Sequence, residues 1–307
     1  MIAVVGSAKE VVKIVMKDPV ESGEAGDGGF VDPASVEPKE EDSMLLESSG
    51  CGANIAVNLA SLGYETEFIS AIGDDSLGVA LKDRLDKAGV NTGGVKVFPG
   101  MTAVNVDFMN ILGDLQFTRR NSAMIKNITP ELLQEKKDIL DKAEIIVVDG
   151  SIPREAIEYM AEKYGARRDV KLFYDPALMH GGYKAREVMG KFHCVLPGRM
   201  EAEAMTKKTV LSEEQLKAAG AFFHEKGIEK VVITIKGGGL YYKEGASEGI
   251  LRPERILSFG NTSGAGDVVS AAVIAGTSEG KTIEEIAGDA MAKAAEYLAD
   301  RKDEKLV

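Results

Sequence analysis

The chain has 307 residues, 44% of them hydrophobic and 28% charged, the balance of a folded domain with room for one large core. Thirty-seven basic against 49 acidic residues leave a formal charge of −12, which argues against nucleic acid as a partner but leaves a small anionic ligand open to local groups. No run of eighteen apolar residues exists to span a membrane, and Met1 leads straight into Ile2–Gly6, too short a stretch for a signal peptide.

Ile2–Val5 is a continuous apolar run ending at Gly6, as expected of a strand buried on both faces. Val11–Met16 is also β-rich, and Pro19–Asp42 after it is rich in Gly, Glu, Asp and Pro with no helical period. An amphipathic helix is predicted at Asn54–Leu62, a strand at Thr66–Ile72 and a helix at Leu77–Ala88. Three alternating segments follow, Val95–Phe98, Ala103–Met109 and Leu115–Thr118, with a Gly113-Asp114 turn before the last. Beyond them, helical patterns at Pro130–Lys142, Glu155–Lys163 and Glu213–Glu225 alternate with strand patterns at Glu144–Val148, Lys171–Tyr174, His193–Leu196 and Lys230–Ile235. Gly237-Gly238-Gly239 reads as a turn into Leu240–Tyr242, because a dinucleotide fingerprint would need a third spaced glycine and a helix. A strand at Ile256–Phe259, a small-residue helix from Val268 to Gly276 and a helix at Ile283–Ala299 complete the series.

This alternation predicts a doubly wound, mostly parallel sheet with helices on both faces, a three-layer α/β/α domain. Residues 10–48 and 95–121 fall outside the rhythm. They pair into a small second sheet forming a lid, or they are unrelated surface hairpins. On the lid reading the main domain is 1–9, 49–94 and 122–307. Cys51 and Cys194 lack a CxxC spacing and read as free thiols in a reducing, cytoplasmic compartment. His193 beside Cys194 is too little for a zinc site.

The sharpest local pattern is Asn261-Thr262-Ser263-Gly264-Ala265-Gly266-Asp267, between a strand and a helix start. Strand, glycine-rich turn and helix tip point unpaired backbone N–H groups at an anion, and the helix dipole favours negative charge there. Asp267 falls in the first helical turn, where a carboxylate can take a proton from a hydroxyl as phosphate arrives. By itself the pattern also fits an acidic residue merely capping a helix.

Asn261–Asp267 resembles the C-terminal signature of the ribokinase-like (PfkB) carbohydrate kinase family, Asp-Thr-x-Gly-Ala-Gly-Asp. Gly50-Cys51-Gly52-Ala53-Asn54-Ile55-Ala56, with Gly63 and Gly73 beyond, resembles that family's N-terminal signature. Smaller similarities lie between: Asp74 and Asp75 before Gly78, Asp175-Pro176 ending a strand, and Thr234-Ile235-Lys236-Gly237 leading to Gly239. The resemblance implies a kinase using ATP and Mg2+ on a small sugar or nucleoside, dimeric through its lid. It implies Asp267 as base, with Gly264, Ala265 and Gly266 forming the anion hole. Gly50, Gly52, Asn54 and Arg120 would bind substrate, though Asn54 also fits an ordinary helix N-cap. Thr234, Lys236, Gly239 and Thr262 would line the nucleotide, and Glu201 would organise magnesium through water.

The departures also carry information. Gly6–Val12 lacks the Asp that usually holds sugar hydroxyls in this family. Asn261 replaces the acidic residue that opens the signature, which counts against monovalent-cation activation, and Gly198 stands where the family usually has Asn. Ala275-x-x-x-x-Gly280-Lys281-Thr282 matches a loose P-loop pattern, but too little chain follows to supply the later magnesium-binding strand. The rival from another class is a sensor that keeps the fold and binds sugar or nucleotide without turnover. The missing lid Asp favours that rival; the intact Gly264–Asp267 run opposes it.

Overall fold

The computed structural model describes residues 1–16, 43–110, 115–235, 239–253 and 263–300. The chain opens with β1 (Ile2–Val5), buried along its whole length. β2 (Lys9–Met16) follows, and β3 (Ser43–Ser49) returns antiparallel to it. α1 (Cys51–Ser61) leads to β4 (Thr66–Gly73), and α2 (Ser76–Lys87) leads to β5 (Asn91–Phe98). β6 (Val104–Asn110) and β7 (Leu115–Asn121) form an antiparallel pair. α3 (Pro130–Glu135) and α4 (Lys137–Leu140) precede β8 (Ile145–Asp149), and α5 (Arg154–Tyr164) precedes β9 (Lys171–Asp175). α6 (Met179–Lys184) comes before β10 (Cys194–Val195), and α7 (Arg199–Thr206) with α8 (Glu213–Glu225) before β11 (Lys230–Ile235). The antiparallel hairpin β12 (Gly239–Glu244) and β13 (Ser247–Leu251) precedes α9 (Ala265–Ser278) and α10 (Ile283–Asp300).

Among the described residues, nine strands form one sheet in the order β13-β12-β11-β10-β9-β8-β1-β4-β5. It is parallel from β11 to β5, with the hairpin added antiparallel at one edge. Alternate residues of a strand point to opposite faces, so one apolar run feeds two cores. Ala3 and Val5 join the core against α3, α5 and α8, whereas Ile2 and Val4 join the core against α1, α2, α9 and α10. Leu59 of α1 is fully buried in the second core, and its replacement by Ala would cost about 2–5 kcal/mol. No described helix is long and apolar enough to cross a membrane.

Local chemistry starts the helices. Asp75 caps α2 by accepting from Gly78 N, Thr129 caps α3 ahead of Pro130, and Ser212 with Gln215 makes a reciprocal capping box at α8. The predicted helix Pro130–Lys142 is two short helices broken at Lys136. Gly280, part of the loose P-loop match, has φ +72 and closes the C-terminus of α9. The predicted strand Ile256–Phe259 and the Gly113-Asp114 turn lie outside the described residues.

A second sheet has the order β3-β2-β6-β7. It contains two of the three alternating segments expected there, but not Val95–Phe98. That segment belongs to β5 and pairs parallel with β4 at the edge of the large sheet. Its alternation reflects an edge strand half open to solvent, with Val97 53% exposed. Periodicity cannot distinguish that situation from membership of a small sheet.

Candidate active site

At the carboxyl ends of the central parallel strands, five segments meet: the chain leaving β1, the first turn of α1, the last residues of β8 and β9, and the tip of α9. Their close approach rests on glycine. A Cβ on Gly6 would stand 2.6 Å from Gly52 Cα, and one on Gly50, at φ +119, would stand 2.3 Å from Ser7 O.

Asp267 lies in the first turn of α9, and Asn54 Nδ2 donates to its Oδ2 at 2.6 Å. Asn54 is therefore not the N-cap of α1; Gly50 is, and Asn54 reaches across to α9 from one turn inside. Gly264 caps α9 with φ +88, and as a glycine it offers no side-chain cap bond there. The first amides of α9 thus lack intrahelical acceptors, and Gly266 is exposed, with open space where a Cβ would stand. The site residues of the two glycine signatures, far apart in sequence, are side by side here.

Three acidic side chains and a thiol surround this point. Cys51 Sγ and an oxygen each of Asp175 and Asp267 lie within 4.8 Å of one another. Asp175 accepts from Ser270 Oγ at 2.6 Å and from Ala177 N at 2.8 Å, with Ala177 held at φ +58. Asp149 is fully buried and accepts from Ser7 and Gly52 on one oxygen and from Ser151 on the other. Burial first, then the negative charge of Asp175, pushes Asp267 up to about 7, against the opposing bonds from Asn54 and Cys51. Burial likewise raises Asp175 to about 6, with Asp149 and Glu201 adding to the effect. The Cys51 thiol is pushed up by burial and by these carboxylates, which favours its neutral form.

Glu201 lies in the first turn of α7, with its carboxylate close beside Gly198. Thr234 also lies beside Gly198, joined to it by an isolated parallel bridge. Gly239 opens β12, opposite Ile235. Arg120 is exposed on β7 opposite Asn105, and among the described residues no hydrogen bond links it to the Asp267 cluster. Lys236 and Thr262 lie outside the described residues. A cavity of about 420 Å³ reaches Asn54 and Gly264, bounded by Ser48, Asn58 and Arg84, a volume in the range of small-molecule sites.

Sequence reading missed Asp149, Ser7, Ser270 and the engagement of Cys51. One signal was available: Asp149 and Asp175 each end an apolar strand run, and the carboxyl ends of parallel strands are where α/β sheets place ligand groups. Nothing in their sequence neighbourhood shows that they would converge.

A three-layer, mostly parallel sheet with a separate small sheet, and a carboxylate at a glycine-rich helix tip, define the ribokinase-like α/β class. The fold superimposes on Arabidopsis thaliana ribokinase, solved with ribose and ATP, with a TM-score of 0.79 at 21% identity, covering 97% of this chain and 92% of that one. The pfkB family carbohydrate kinase model matches residues 27–302, and the chain belongs to that family. It is 28% identical to Escherichia coli pseudouridine kinase over 72% of this chain and 70% of that protein. It is 25% identical to Haemophilus influenzae ribokinase over 77% and 76% respectively.

Proposed function

We propose that this chain transfers the γ-phosphate of ATP to a hydroxyl, a primary one, of a sugar or nucleoside. The observation that carries the reading is the Asn54–Asp267 pair at the tip of α9, an end whose N-cap residue is Gly264. Asp267 takes the hydroxyl proton, the freed oxygen bonds to the γ-phosphorus, and the bond to the bridging oxygen breaks to release ADP. Asn54 holds the Asp267 carboxylate in position through its bond to Oδ2 and meets the acceptor beside it, with the backbone near Gly50 and Gly52. Amides of Gly264–Gly266 receive the charge that grows on the transferring phosphoryl group.

The donor fits the residues present: amides at an open helix tip suit phosphate oxygens. Thr234 and Gly239 would flank the nucleotide, with Lys236 and Thr262, and Glu201 would hold Mg2+ through water. Bound magnesium supplies charge neutralisation to the phosphates. The small sheet would act as a lid that excludes water, with Arg120 on it reaching the acceptor.

A second copy of the chain is the proposed occupant of the small sheet's outer face. Register puts Val12, Leu46, Val106, Ile14, Met44, Phe108 and Phe117 on one side of the sheet. Of these, Met44 is 70% and Leu46 63% exposed, an apolar surface a lone subunit leaves in water.

The test is ADP release with MgATP and a panel of D-ribose, pseudouridine, inosine and guanosine. Turnover on one acceptor, lost about 10²–10⁴-fold in Asp267→Asn while ATP affinity holds within about twofold, is the expected result. Wild-type turnover by the variant overturns the assignment of the base, and nucleotide binding without any turnover favours the sensor.

A further inference from the structure

Asp149 is a buried carboxylate at the end of β8, gripped by donors from the chain after β1, from α1 and from its own loop. Its Oδ2 accepts from Ser7 N at 2.8 Å, Ser7 Oγ at 2.7 Å and Gly52 N at 3.0 Å. Its Oδ1 accepts from Ser151 N at 2.8 Å and Ser151 Oγ at 2.7 Å. The Gly52 contact explains how α1 begins. Gly50, the N-cap, carries no side chain to satisfy the first-turn amides. Asp149, 97 positions beyond Gly52, accepts from one of them, Gly52 N, and the Ser7 carbonyl accepts from another, Ala53 N. The positive end of the α1 dipole and an anion thus meet across the sheet.

The same atom grips Ser7, two residues before β2 begins at Lys9. That is where the chain leaves the large sheet for the small one. Two residues after Gly52 comes Asn54, whose amide holds Asp267. The Asp149 loop is itself pinned, because Lys184 Nζ donates to the carbonyls of Gly150, Ser151 and Ile152.

We infer that Asp149 is a positioning residue that caps α1 from β8, setting Asn54 against Asp267 and anchoring the root of the small sheet. The inference rests on the kinase reading for its kinetic consequence but not for the clamp. An amide in place of the carboxylate has one accepting oxygen. Asp149→Asn must therefore turn an N–H group toward either the Ser7–Gly52 donors or the Ser151 donors.

The experiment is amide hydrogen exchange of the full chain, read over residues 51–56, with α8 (residues 213–225) as internal reference. In Asp149→Asn, exchange over 51–56 is expected to accelerate about tenfold or more while α8 is unchanged. Ser7→Ala removes one donor and keeps the carboxylate, so it should give a smaller shift in the same segment and covers the case in which Asp149→Asn fails to fold. With the acceptor the panel identifies, kcat/KM for that acceptor should fall about 10–100-fold while KM for ATP stays within about twofold. Unchanged exchange over 51–56 in both variants overturns the clamp. Faster exchange with an unaltered acceptor kcat/KM overturns the positioning role. If the wild-type chain turns over none of the acceptors, the kinase reading fails, and the exchange result still decides the clamp.

Discussion

In the proposed mechanism, Asp267 gains its proton-accepting role at a cost to the fold. Enclosed beside Asp175, its carboxyl is pushed up to about 7, so it is half-ionised near neutrality and able to accept a proton there. The acid limb of the pH profile of kcat/KM should therefore climb to a plateau above about pH 7, whereas an ordinary carboxylate would plateau near pH 5. Stability runs the opposite way. A carboxyl whose folded pKa lies above its unfolded value keeps its proton in the folded state while the unfolded chain loses it, so stability falls as pH rises from about 4 to 7. Asp267→Asn removes that penalty. The variant should melt about 2–5 °C higher than the parent at pH 8 and show no gain at pH 4, read by calorimetry. An equal shift at both pH values would mean that charge is not the cause. The role proposed for this residue rests on Gly264–Asp267, but the size of its perturbation was not legible there. That comes first from burial in the folded chain and then from Asp175 and Asp149, two strand ends 92 and 118 positions away, brought beside it by folding.

Among the elements, α9 and α1 carry the proposed site, and both begin at glycine for different reasons. Gly264 is left-handed, and a Cβ there would stand 2.4 Å from Tyr297 Oη. Gly264→Ala should lose about 2 kcal/mol or more in urea unfolding and lose catalysis beyond that, since both the backbone strain and the collision fall on the proposed anion-binding tip. Ser212→Ala is the contrasting case. It removes the box at α8, remote from the site, and should cost about 1 kcal/mol with unchanged kcat. If Gly264→Ala were no more harmful to kcat than Ser212→Ala, the helix tip would be structural only. The caps at α2, α3 and α8 follow from residues three apart and are visible in the sequence. The capping of α1 is not, because its acceptors are Asp149 at the end of β8 and the Ser7 carbonyl after β1.

At the scale of the whole molecule, the small sheet gathers exposed apolar side chains that register places on one face. If a second copy covers it, Met44→Asp places a charge in that contact and should convert a dimer to a monomer in light scattering at micromolar concentration. A wild-type chain that is already monomeric would remove the dimer proposal while leaving the large-sheet chemistry untouched. The position of β5 is also a matter of the whole fold. Asn91–Phe98 alternates like the strands of the small sheet, yet it pairs with β4, bringing Gly94 against Phe68 so closely that a Cβ would stand 2.5 Å from the Phe68 carbonyl oxygen.

The sequence by itself determined the layered architecture, since apolar runs such as Ile2–Val5 and Lys230–Ile235 alternating with amphipathic helices leave few other ways to bury both faces of the strands. It also determined the family and the two glycine-rich turns, because those depend on residues adjacent in the chain. Only the tertiary structure decided which sheet β5 joins and which carboxylates crowd Asp267. It alone revealed that Asp149 accepts from Gly52 N in the first turn of α1, beside the Ser7 carbonyl that accepts from Ala53 N. Hydrogen bonds and Coulomb interactions depend on distance in space, and groups separated by a hundred residues carry no local pattern that announces their meeting.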